Sequence, residues 1–227
     1  MEPLLPRNPG RGGRWADHRR TINRVLWRTR TTREPSTSRP SRSGSATRFG
    51  DQEHNLNRMS VCPGCRLELP DERRTSNETR YNASPECLRL SGEVAAFNHA
   101  HPARLAIWHQ TCVDAYGAQH VSAGTKPIAV AFALNGLYLV FERGFTGLQA
   151  RNAHGYLANT VPSWPRFTPP DNVGKVTVFD VTMASSVGEH IDLVQTWGRS
   201  VWAAWSHVHN EIATMTDAQL GSWHPHS

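Results

Sequence analysis

Residues 127–143 read PIAVAFALNGLYLVFER. Apolar side chains occupy nearly every face of a 3.6-residue period, so a helix here has no side for water. It predicts the central, most buried helix of a helical domain. The run from Ile128 to Phe141 is 14 residues long and is broken by Asn135 and Gly136. A bilayer needs about 20, so the segment reads as core and the chain as free of membrane.

Helical spacing continues on both sides of this segment. Ser84-Pro85-Glu86 combines an N-cap serine, a proline at the first helical position and an acid at the positive dipole end. The helix it starts is expected to run to Asn98, with Cys87, Leu90, Val94 and Phe97 on one stripe. Pro102 opens a second helix to His120, with Leu105, His109, Cys112 and Tyr116 on one face and Asp114 off it. A shorter helix is expected over Leu148–Asn159. Residues 162–174 carry four prolines and read as loop. Residues 176–183 are ambiguous between strand and helix. From Glu189 to Met215, His190, Leu193, Val194, Trp197, Val201, Ala204, Trp205 and Val208 recur at helical spacing. Trp197, Trp202 and Trp205 read as core. The expected fold is all-α: a single domain of about five helices over 59–215, with an N-terminal Cys-x-x-Cys knuckle. Residues 216–227 are expected to form a flexible tail.

Charge divides the chain sharply. Residues 1–58 hold thirteen Arg against five acids, whereas residues 59–227 hold twelve Lys plus Arg against fourteen acids. The positive charge that sets the high isoelectric point therefore belongs to the first quarter. Residues 16–30 can form a short amphipathic helix on Ile22, Val25 and Leu26. From Thr31 to Arg48 no large aliphatic appears, so nothing there offsets the entropy of ordering and disorder is expected. Nucleic acid would be engaged only through this basic extension, 1–58. No apolar secretory core precedes the arginines. Four cysteines in such a chain point to metal or free thiols in a cytoplasmic protein.

Cys62-Pro63-Gly64-Cys65 is the strongest chemical signal. Two residues between thiolates let both sulfurs reach one ion, and Pro-Gly makes the tight turn. Zinc takes about four ligands, so the knuckle is half a site. Cys87 near a helix start and one histidine complete it, which gives Cys62, Cys65, Cys87 and His109 as candidate ligands. Thiolate with imidazole favours zinc in a structural role. A redox pair and plain thiols are the rival readings. His109 and His120 are three turns apart and share a side of their helix, so either, with Asp114, could instead serve a metal-dependent, hydrolase-like site. His190 reads as a packed histidine. There is no phosphate-cradling glycine loop, no Gly-x-Ser-x-Gly elbow and no His-Glu-x-x-His helix. The function expected is a zinc-stabilised binding or regulatory module whose partner is a small molecule or a protein.

Two resemblances add to this reading. WADHRRTINRVLWRTRT, residues 15–31, resembles the start of the N-terminal helical domain of DDE insertion-sequence transposases. That family continues into Gly-x-Pro-Trp-Arg-Asp-Leu-Pro, where this chain has TREPSTSRPSRSGSATRFG. The resemblance implies a transposase remnant, with Met59 as a candidate start, or alternatively a transposase-derived DNA-binding arm. Farther on, CPGCRLELP, YNASPECLRLSGEV, HQTCVDAYGAQH and EHIDLVQTWGRSVWAAWS resemble, in that order, an uncharacterised bacterial family. Its pattern is CPxCG, YxASPxCW, VDAYxxQHP and WxxxVWxAW, and the similarity covers about residues 60–209. It singles out Cys62, Cys65, Tyr81, Ser84, Cys87, His109, Asp114, Tyr116, Gln119, His120, His190, Trp197, Trp202 and Trp205. Cys112 falls outside the pattern. Arg66 stands where the pattern has Gly, Leu88 where it has Trp, and Val121 where it has Pro.

Overall fold

The computed structural model of the chain describes residues 58–72, 75–221 and 223. The helix expected over 16–30 and the disorder expected over 31–48 lie outside the described residues.

Seven α-helices and one β-hairpin make up the regular structure among the described residues. Strands β1 (Met59–Val61) and β2 (Glu68–Pro70) pair antiparallel, with Ser60 opposite Leu69. The knuckle is the connection between them. Strands of three residues are too short to show alternation, so the sequence carries no strand signal around the knuckle. Helices α1 (Pro85–Ala100), α2 (Pro102–Gln119) and α3 (Pro127–Phe141) each start on a proline. Helix α4 (Gly147–Thr160) starts on a capping box formed by Thr146 and Gln149.

The ambiguous stretch near residue 180 forms a short helix, α5 (Val178–Thr182), capped reciprocally by Thr177 and Asp180. The single long helix expected from Glu189 to Met215 is instead two. Helix α6 (Val187–Ala204) ends at Trp205, a 3-10 turn covers Ser206–Val208, and α7 (His209–Leu220) follows. Trp205 is fully buried and its Nε1 donates to the Ala118 carbonyl at 3.2 Å. Held there, the chain turns, and α7 packs its Ile212, Thr216 and Leu220 against α3 and α4. Thr216 Oγ1 donates to Asn135 Oδ1 of α3 at 2.9 Å. The boundary expected at residue 215 therefore moves outward. Helix α7 runs to Leu220, and the Trp223 ring stacks on Tyr156 at 5.8 Å.

Helix α3 is the buried core its sequence predicts. Leu134, Leu137 and Leu139 are fully buried, and burying each contributes about 2 kcal/mol. Helix α2 shares the centre, packing against α1, α3, α4 and α6. With neighbours on so many sides it buries Asp114 and Gln119 as well as its apolar stripe. The tryptophans pack in the core with their donors paired: Trp197 Nε1 to Gln119 Oε1 at 3.0 Å, Trp202 Nε1 to Glu142 Oε1 at 2.9 Å. Among the described residues no helix is long and apolar enough to cross a membrane.

Candidate metal centre

Three segments meet at one buried point. The hairpin turn brings Cys62 and Cys65, where the Cys62 amide donates to the Leu67 carbonyl at 2.9 Å and the Arg66 amide to the Cys62 carbonyl at 3.0 Å. The first turn of α1 brings Cys87, whose amide donates to the N-cap Ser84 Oγ at 3.2 Å. The end of α2 brings His120. The ligand atoms of Cys62, Cys65, Cys87 and His120 all lie within 4.8 Å of one another. Cys65 Sγ is 3.7 Å from Cys87 Sγ, and Cys87 Sγ is 3.3 Å from His120 Nε2. Sulfurs bound tetrahedrally to one zinc ion stand about 3.8 Å apart, and sulfur and imidazole nitrogen about 3.5 Å. These two spacings are within about 0.2 Å of both.

Surrounding groups orient the ligands. His120 Nδ1 lies 2.8 Å from the Tyr116 carbonyl. A carbonyl only accepts, so Nδ1 carries the proton and Nε2 turns its lone pair toward the thiols, the arrangement a metal-bound histidine needs. Tyr116 stacks on the same ring at 4.0 Å, and its hydroxyl points to Cys87 Sγ at 3.7 Å. The Asn82 amide donates to the His120 carbonyl at 2.8 Å. Gly64 is required by contact: a Cβ there would lie 2.5 Å from the Asn82 carbonyl oxygen and 2.6 Å from His120 Cδ2.

Arg66, at the position where the resemblance expects Gly, has φ +63° and is the sole non-glycine residue in the left-handed region among the described residues. An L side chain there crowds the backbone. Arg66→Gly is expected to stabilise the domain by about 1 kcal/mol, read as a rise in denaturant midpoint with unchanged slope. A lower midpoint would mean that the arginine side chain makes a compensating contact.

His109, expected as the fourth ligand, is not part of the cluster. Helices α1 and α2 run antiparallel across the one-residue break at His101, which pairs residue 98 with 109 and residue 87 with 120. His109 Nδ1 accordingly faces Asn98 Nδ2 at 3.4 Å, and its ring lies 4.7 Å from that of His99. Eleven residues of helix separate His109 from His120, about 16 Å along the axis. Both share a side of α2, but only His120 is level with Cys87. Cys112 also lies apart, buried with its sulfur accepting from Asn98 Nδ2 at 3.4 Å. His190, near the start of α6, is buried and donates from Nε2 to Asn98 Oδ1 at 2.8 Å. His109, His120 and Asp114 are thus held by three different sets of partners and form no common site.

The cluster's electrostatics favour a cation. Side-chain hydrogen bonds from Cys65 and Cys87 lower the Cys62 thiol far below its usual range. Cys65 is pushed up to about 12 by its hydrogen bond with Cys62 and by burial. Cys87 is raised by its bonds with the same two cysteines and by burial. Beyond a first thiolate, each further ionisation is opposed by the sulfurs packed against it. A divalent ion supplies the positive charge that lets the others ionise.

Fold and site together define a helical domain closed at one end by a buried Cys3His cluster of metal-ligand geometry. The chain belongs to a family of unknown function, DUF5946, whose profile covers residues 60–206. The match takes in all four residues of the cluster, and the transposase-like residues 15–31 lie outside it. No curated protein and no solved structure matches the chain.

Proposed function

We propose that Cys62, Cys65, Cys87 and His120 hold a structural zinc ion, and that the domain it closes is a binding or regulatory module. The observation that carries this reading is the combination of closeness and burial. The four donors lie within 4.8 Å of one another, and the residues are between 0% and 7% exposed. Four protein ligands fill a tetrahedral shell, so no position is left for the water or substrate that a catalytic zinc needs. The ion would fasten the hairpin to the start of α1 and the end of α2, adding to the contacts that already join these segments, among them the Asn82 amide to the His120 carbonyl. Three thiolates and one imidazole suit zinc better than the oxygen-seeking cations. Such a site keeps its thiols in a reducing compartment, consistent with the cytoplasmic location we propose.

Metal analysis of the reduced full chain tests the assignment. About one zinc per chain is expected, with His120→Ala losing it and His109→Ala and Cys112→Ala keeping it. Retention of metal by His120→Ala together with its loss from His109→Ala would overturn the ligand set.

A further inference from the structure

A second site stands apart from the cysteines. A cleft of about 630 Å³ opens between α2, the first turns of α3, and α4. That volume lies within the roughly 300–1,000 Å³ typical of small-molecule sites. None of the four metal-ligand candidates lines it. Among the polar residues that do, two have a buried atom without a protein hydrogen-bond partner: Asp114 Oδ2 and His154 Nε2. Asp114 is 3% exposed and His154 7%.

Both side chains are fixed from behind. Asp114 Oδ1 accepts from Gln110 Nε2 at 2.8 Å. The other nitrogen of His154 bonds the Phe132 backbone, and its ring stacks on that of Phe132 at 4.8 Å and 8°. The two groups converge on Gly136, where a Cβ would sit 1.9 Å from Asp114 Oδ2 and 3.1 Å from His154 Cε1. Leaving a buried polar atom unpaired costs about 1–3 kcal/mol. Two such atoms, on residues that line one cleft and meet at Gly136, are the pattern of a site kept for a ligand at the expense of stability.

The chemistry of the floor selects the ligand. Burial raises Asp114 well above the usual carboxylate range and so favours its neutral, donating form. Burial lowers His154 to about 4, which leaves Nε2 a neutral acceptor. The cleft thus offers one donor and one acceptor. Tyr81, Val113, Ala129 and Phe132 supply an apolar and aromatic wall, Thr79 and Thr125 line the cleft as well, and at its rim stand exposed Lys126 and Arg80, the latter paired with Glu78.

We propose that this cleft binds a small uncharged molecule with an amide-type head. The head accepts a hydrogen bond from Asp114 and donates one to His154, and an apolar body lies against Phe132 and Ala129. A carboxylate of the same shape has nothing to donate to His154. An amine must ionise Asp114 in a cleft that already carries Lys126. The site does not depend on the metal reading, because its residues and the cysteines are separate.

Three probes of nearly one shape test it: benzamide, benzoate and benzylamine, titrated into the full chain by ligand-observed NMR. Benzamide is expected to saturate, with a dissociation constant lower by about tenfold or more than either charged analogue. Asp114→Leu is expected to weaken benzamide by about tenfold while leaving bound metal unchanged. Ala129→Trp, which fills the mouth from an exposed position and leaves the core intact, is expected to abolish saturation. Failure of benzamide to saturate, equal or tighter binding of benzylamine, or unchanged binding in Ala129→Trp would each overturn the proposal. Loss of metal in His120→Ala bears on the other site alone, so the two readings fail separately.

Discussion

Cys62→Ser is expected to empty the metal site and lower the melting temperature by about 10 °C or more. Free zinc at a thousandfold excess over the dissociation constant contributes about 4 kcal/mol of stability. In a domain of this size each kcal/mol corresponds to about 2–4 °C. Serine matches the shape of cysteine and leaves intact the backbone bond from residue 62 to the Leu67 carbonyl. The loss then reports the missing thiolate and not a broken turn. A chelator added to the wild type should reach the same melting temperature, and should change little in Cys62→Ser. Equal melting temperatures for wild type and variant, with no metal in either, would reduce the knuckle to a set of packed thiols.

The parts of this fold legible in the sequence are those with a local cause. Ser84-Pro85, Pro102 and Pro127 announce helix starts because proline and a capping hydroxyl act within one turn, and all three helices begin there. The break at Trp205 has no such sign. Val201, Trp205, Val208 and Ile212 keep helical spacing across it, and the turn is decided by where the Trp205 indole finds its acceptor, Ala118 on another helix. The hairpin hid for the opposite reason, since three residues per strand leave no pattern to read.

The same division runs through the candidate sites. Cys62, Cys65 and Cys87 carry local signals, a two-residue spacing and a helix start, and the structure brings them together. His120 and not His109 stands in the cluster, which periodicity does not reveal because it gives the face of a helix and not the height along it. A signal was present in the connection. A one-residue break between two long helices makes them antiparallel neighbours, which sets the start of α1 beside the end of α2. The pairing of Asp114 with His154 had no sequence signal. It depends on α2, α3 and α4 crossing at Gly136, where only a residue without Cβ lets the Asp114 carboxyl approach.

His154 also makes the domain sensitive to acid. Burial holds its folded pKa at about 4, against 6.5 for a free histidine. His190 is lowered to about 4 as well, by burial first and by nearby His101 second. Above pH 6.5 both histidines are neutral, folded or unfolded, and their contribution is fully present. As pH falls from 6.5 toward 4 the unfolded chain takes up protons that the folded chain refuses, and stability is lost. Asp114 opposes this loss, since its raised pKa favours the folded state as acid increases. Acid release of zinc would add to the loss, so the wild-type profile alone does not isolate the histidines. His154→Phe does, because it keeps a ring against Phe132 and removes one titration. Unfolding free energies of wild type and variant, measured from pH 7.5 to 4.5, should diverge as pH falls. The wild type should lose on the order of 2–3 kcal/mol relative to the variant. A difference that stays constant with pH would mean that His154 takes up a proton in the folded state as readily as in the unfolded one.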